Sequence, residues 1–103
     1  MEIILHAHHA DVTESLRAQA EAAVIRLAKR VHRVATAVVR FVGDGDTRRV
    51  EIVLQRARSR ELFVHADARA FAPALSAAVH RLESQVARVR RSRRVPDHGD
   101  RTG

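Results

Sequence analysis

Three histidines, His6, His8 and His9, fall within four positions near the start of the chain, and Asp11 follows them. Imidazoles and a carboxylate at this spacing are the raw material of a metal site or of a proton relay. A structural zinc site needs three or four ligands, and the sequence has no Cys and no second ligand cluster. A His-Asp pair needs a nucleophile to activate or a Gly-rich loop to cradle a phosphate, and neither accompanies it. The histidines therefore read as the end of a strand. No enzyme, metal or cofactor is expected.

The second candidate chemistry is anion binding. The 103 residues hold 19 Lys and Arg against 12 Asp and Glu, a net charge of +7, and the pI is near 11.6. A polyanionic partner follows. The basic residues are 18 Arg and one Lys, Lys29. Arg presents a planar fork suited to phosphate, but the chain is also rich in Ala, as GC-biased codons would produce, so the preference for Arg over Lys carries little weight.

The elements that must position these charges are legible from periodicity. Glu2 to His6 is a short β-prone run, and Thr13 is an N-cap for a helix with Glu14 in its first turn. Leu16, Ala20, Val24, Leu27 and Val31 make one apolar stripe, which predicts a helix to about Arg33. Strands are predicted over 36–42 and 49–55, joined at Gly43 to Asp46, and again at Leu62, Val64 and Ala66 after the polar turn Arg56 to Arg60. A final helix begins near Phe71 or Ala72, with Pro73 tolerated in its first turn and Phe71, Leu75, Val79, Leu82, Val86 and Val89 on its buried side. The order is β-α-β-β-β-α, an α+β fold with both helices packed on one face of a four-stranded sheet. Residues 1–94 form one domain, and 95–103 read as a disordered tail. No apolar run is long enough to span a bilayer and no signal peptide is present, so a cytoplasmic protein is expected.

On this scaffold Arg26, Lys29, Arg30 and Arg33 line one flank of the first helix. Arg81 and Arg88 nearly superimpose on the second, Arg91 follows one turn on, and "RVRRSRR" ends it with five arginines. Laid side by side, the two flanks would join into one positive surface. Trp and Tyr are absent, and Phe41, Phe63 and Phe71 all fall in elements with a core to fill, so stacking of unpaired bases is not expected. The helices are too far apart in sequence for a helix-turn-helix, and the apolar residues of the second are used in packing, which argues against a lipid-binding helix. Phosphate and shape recognition of folded RNA fits best.

Three stretches carry a resemblance: "DVTESLRAQAEAAVIRLAKRVHRV" (11 to 34), "RRVEIVLQ" (48 to 55) and "ALSAAVHRLESQVARVRR" (74 to 91). In order and spacing they resemble the ribosome hibernation-promoting factors, or ribosome-associated inhibitors, of the S30EA type. The resemblance implies a fold similar to a double-stranded RNA-binding domain, seated between head and body of the small ribosomal subunit, where it blocks mRNA and tRNA during stress. It implies RNA-facing roles for Arg26, Lys29, Arg30, Arg33, Arg81 and Arg88, to which the basic tail of the second helix adds Arg90 and Arg91. His8 falls where a basic residue is common and His9 where a histidine is frequent, which implies an RNA-facing or structural role at the strand end and makes His8 a further RNA-binding candidate. Two positions depart from the pattern: Val31-His32 replaces a frequent aromatic, and Arg69-Ala70 an acidic cap. Without the second domain of long members, any effect on ribosome dimers would need a partner factor. The expected partner is the small subunit and its rRNA, with no membrane or small-molecule substrate, and the free protein is expected to be a monomer. The alternatives are a stand-alone structured-RNA-binding module and a modulator of sigma factors or other proteins.

Overall fold

Alternation of apolar and polar side chains lets each strand bury one face only. The computed structural model describes residues 1–94, so the expected disordered tail lies outside the described residues. Strands β1 (Glu2–His8), β2 (Val34–Asp44), β3 (Thr47–Arg56) and β4 (Leu62–Ala68) form one sheet in that order, with helix α1 (Glu14–Ala28) after β1 and α2 (Phe71–Arg94) after β4. β1 pairs parallel with β2, and the remaining pairs are antiparallel. A parallel pair cannot be closed by a tight turn, and α1 supplies the crossover. The β-α-β-β-β-α order and the α+β class are those the periodicity predicts.

One core joins both helices to one sheet face. Val39 and Phe41 of β2, Val50, Ile52 and Leu54 of β3, and Val64 and Ala66 of β4 meet Val24 and Leu27 of α1 and Ala78, Leu82 and Val86 of α2. No polar or charged residue is buried as a whole among the described residues. Desolvating an unpaired charge would cost many kcal/mol, so every charge is held at the surface, where its placement is free to serve a partner.

The helix boundaries decide where those charges fall. Thr13 caps α1 as expected, its Oγ1 accepting from the Leu16 N–H at 3.1 Å. The other end differs from the prediction, because α1 stops at Ala28 and not near Arg33. The Arg30 and Val31 N–H groups donate to the Leu27 and Ala28 carbonyls, three residues back, and Arg33 takes a φ of 66° that reverses the chain. The apolar stripe runs past the helix because Val31 reaches the core from this turn, at 8% exposure.

β2 and β3 are longer than predicted and meet at Gly45-Asp46, where Gly45 has a φ of 60°. A two-residue hairpin loop with Gly first is the type II′ pattern. Gly43 answers a different need: a Cβ there would collide with the backbone carbonyl of His9, which packs across it. No helix of the described residues is long and apolar enough to cross a membrane.

Candidate nucleic-acid interface

Two segments remote in sequence meet at one end of the sheet. The Ala57 N–H donates to the Arg33 carbonyl at 2.9 Å, which joins the β3–β4 loop to the turn after α1. Within that loop, the Arg56 guanidinium donates from Nε and Nη2 to the Arg60 carbonyl at 3.0 and 2.7 Å. Arg56 thus closes its own loop, and Arg58 and Arg60 are left exposed. Arg58 has a φ of 61°, so both segments hold an Arg in the left-handed region. Such residues cost roughly 1–2 kcal/mol each, and retained strain clusters at functional sites.

The helices bring further cations to the same end. Arg26 reaches Glu83, and Gln19 shares a groove with Leu75 and Val79, so α1 and α2 run side by side in the same direction. The Lys29–Arg33 turn therefore lies beside the C-terminal half of α2, where helical spacing from Glu83 puts Arg90 on the α1 flank. Among the described residues no carboxylate pairs with Lys29, Arg30, Arg33, Arg58, Arg60, Arg88, Arg90 or Arg91. The negative end of the α1 dipole offsets part of the repulsion between Lys29 and Arg30.

Not every expected residue joins this cluster. Arg26 is committed to Glu83 at 3.2 Å, with the two side chains 53% and 39% exposed, and it braces α1 to α2. Arg81 donates to the His65 carbonyl on the outer edge of β4. At about 100° per residue, Arg81 and Arg88 share one flank of α2, and Glu83 and Arg90 share the opposite one. The expected fusion of both helix flanks into one positive surface is thus corrected, because Arg81 and Arg88 face β4 and not α1. His8 is at the end of β1 away from the cluster, six residues along the strand and so about 20 Å from its start. Its ring meets that of His9 edge-on, with centroids 4.3 Å apart. Among the described residues no group of three or more His, Asp or Glu is placed to hold a metal ion.

The structure adds residues that the sequence reading missed. Arg58 and Arg60 had a signal, the alternating Arg run "RARSR", that reads as a turn. Phe63, in a strand with a core to fill, is itself 44% exposed. With Leu62, Val64 and Ala66 turned inward, the alternation of β4 leaves Phe63 on the open sheet face. In register with it lie Val53, Val38 and Ile4, and the next cross-strand row is His65, Glu51, Arg40 and His6. Ion pairs lie on this face. Arg40 pairs with Glu51 at 3.1 Å, and Arg49 with Asp67 at 2.8 Å. The hydrogen bond from Arg49 holds the Asp67 carboxyl below its ordinary range.

The family profile described as sigma 54 modulation protein / S30EA ribosomal protein matches residues 3–94, from β1 through α2. The chain belongs to this family. Members of the S30EA family are ribosome-associated factors, and the match includes every cation of the cluster. Among solved structures, the N-terminal domain of Protein Y from Thermus thermophilus is 26% identical with a TM-score of 0.72, covering 86% of this chain and 99% of that one. A ribosomal subunit interface protein from Coxiella burnetii is 17% identical with a TM-score of 0.77, covering 87% of this chain and 98% of that one, and shares the fold. No curated protein sequence matches the chain.

Proposed function

We propose that this protein is a ribosome-associated translation inhibitor of the hibernation type. It seats its basic end on rRNA in the mRNA and tRNA channel of the small subunit and excludes both ligands sterically. The observation that carries this reading is the cluster of Lys29, Arg30, Arg33, Arg58, Arg60 and Arg90, which has no carboxylate partner among the described residues. Membership of a ribosome-associated family supports it.

The mechanism is binding without bond-making. Guanidinium forks take phosphate oxygens of folded rRNA in bidentate geometry and release condensed counterions. Five to seven phosphate contacts give a slope of log K against log[salt] of roughly −4 to −6. The protein acts in the cytoplasm, as a monomer when free, and needs no cofactor.

The test is competition. Filter binding of tRNA to vacant small subunits should fall as the protein is titrated in, and excess tRNA should displace the protein. Simultaneous saturation by both would overturn the proposed seat. The family description also names sigma-54 modulation. A protein partner retained after nuclease treatment and removal of ribosomes would favour that second reading.

A further inference from the structure

A groove beside the basic end runs between the outer edge of β4, from its first residues, and the C-terminal half of α2. It has a volume of about 360 Å³ and is lined by Phe63, His65, Arg81, Ser84 and Arg88 among others, a size at the low end for small-ligand sites. No carboxylate lines it. Phe63 keeps 44% of its surface exposed, and its ring sits 5.8 Å from that of His65. An exposed ring on an edge strand brings no core packing in return for its contact with water. The polar partners are donors: Arg81 spends one N–H on the His65 carbonyl, and the rest of its fork remains, as does the whole of Arg88. His65 Nδ1 is buried with no hydrogen-bond partner among the described residues. A buried orphan of this kind asks for an explanation, and a polar ligand reached by rotation of the ring supplies one.

We infer that this groove binds a nucleotide of single-stranded RNA, with the base stacked on Phe63 and the adjoining phosphate held by Arg81 and Arg88. A flat π surface beside guanidinium groups, with no acid in its lining and the nearby Asp67 already held by Arg49, matches a planar group that carries a phosphate. An acidic peptide would satisfy the arginines but leave the ring without a planar partner. The inference rests on the reading that the partner is RNA. It adds base contact at the start of β4, next to the Arg58–Arg60 loop, and so extends the proposed rRNA seat to an unpaired base.

The experiment uses the full chain and a single-stranded RNA hexanucleotide that carries one 2-aminopurine, whose fluorescence reports stacking. Wild type is compared with Phe63→Leu, which keeps an apolar side chain but removes the flat ring, with Phe63→Trp, which enlarges it, and with Arg88→Gln. Phe63 is a surface residue, so neither substitution opens a core cavity. The expected result is about tenfold weaker binding for Phe63→Leu with loss of the fluorescence change, full retention for Phe63→Trp, and a smaller salt slope for Arg88→Gln. Equal binding and equal fluorescence change for Phe63→Leu and wild type would overturn the inference. Sedimentation of the same proteins with small subunits separates the two claims. A wild type that stacks the hexanucleotide through Phe63 but fails to sediment supports the groove and removes the ribosomal seat. Sedimentation with no dependence of hexanucleotide binding on Phe63 removes the groove alone.

Discussion

The two ends of the sheet use arginine in opposite ways. At the hairpin end, Arg48 donates to the carbonyls of Gly45 and Thr47 at 2.8 and 3.0 Å. Arg49 forks onto Asp67, and Arg40 on the open face holds Glu51. Arg17 and the exposed Arg69 are exceptions, at an end that also carries Asp11, Glu14, Asp44 and Asp46, and at the opposite end Arg56 spends its donors on its own loop. At the other end Lys29, Arg30, Arg33, Arg58 and Arg60 have no carboxylate partner among the described residues, and Glu2 and Glu61, acids at that end of the sheet, pair with none of them. The lesson is that net charge overstates the binding surface. Arginines that close turns and staple strands have already spent their donors, and only the uncommitted ones can release counterions from RNA.

The strongest way to break this comparison is to neutralise each end in turn. Lys29, Arg30, Arg33 and Arg58, all changed to Gln, should weaken small-subunit binding on the order of ten-thousandfold near 0.1 M salt, since each phosphate contact is worth about tenfold there. Arg40, Arg48 and Arg49, all changed to Gln, should leave affinity within about threefold per folded molecule; filter binding reads both. Next in size, Gly43→Ala drives a Cβ into the His9 carbonyl. It should cost about 1–3 kcal/mol and lower Tm by about 10 °C, with affinity unchanged, which separates stability at the hairpin end from binding at the other.

Arg33→Gly sharpens the contrast within a single residue. Glycine accepts a φ of 66° without strain, so the relief and the added chain entropy nearly cancel, within about 1 kcal/mol, and Tm should shift by only a few degrees. RNA binding should still fall about tenfold for the lost contact. The smallest effect is the acid response of the Arg49–Asp67 pair. The Asp67 pKa is lowered on folding, first by its hydrogen bond from Arg49, so its stabilisation is present above the unfolded value near 3.9 and is lost as pH falls through the folded value. Asp67→Asn should flatten that acid limb in thermal melts while matching wild type at the lowest pH.

How much of this was legible in the sequence depends on range. Local rules placed the Thr13 cap, the Phe71 start of α2 and the alternation of β3, because each is set by residues a few positions apart. The end of α1 was misplaced because Val31 keeps the helical spacing while its backbone has already left the helix. The fusion of the two basic flanks failed for a different reason: sequence gives the angle of Arg81 around its own helix but not the side on which α1 lies. Contacts over long separations, such as Ala57 with Arg33 and Arg26 with Glu83, were invisible, and with them the placement of Arg58 and Arg60. Phe63 shows that an aromatic on a half-buried strand belongs to the core only if the alternation turns it there.

The most direct measurement is sedimentation of the purified protein with vacant ribosomes and separated subunits across a salt series. The account predicts co-migration with the small subunit, lost as salt rises with a slope near −4 to −6, and loss at every salt for the basic-end variant. Migration with the large subunit, or binding that does not change with salt, would contradict it.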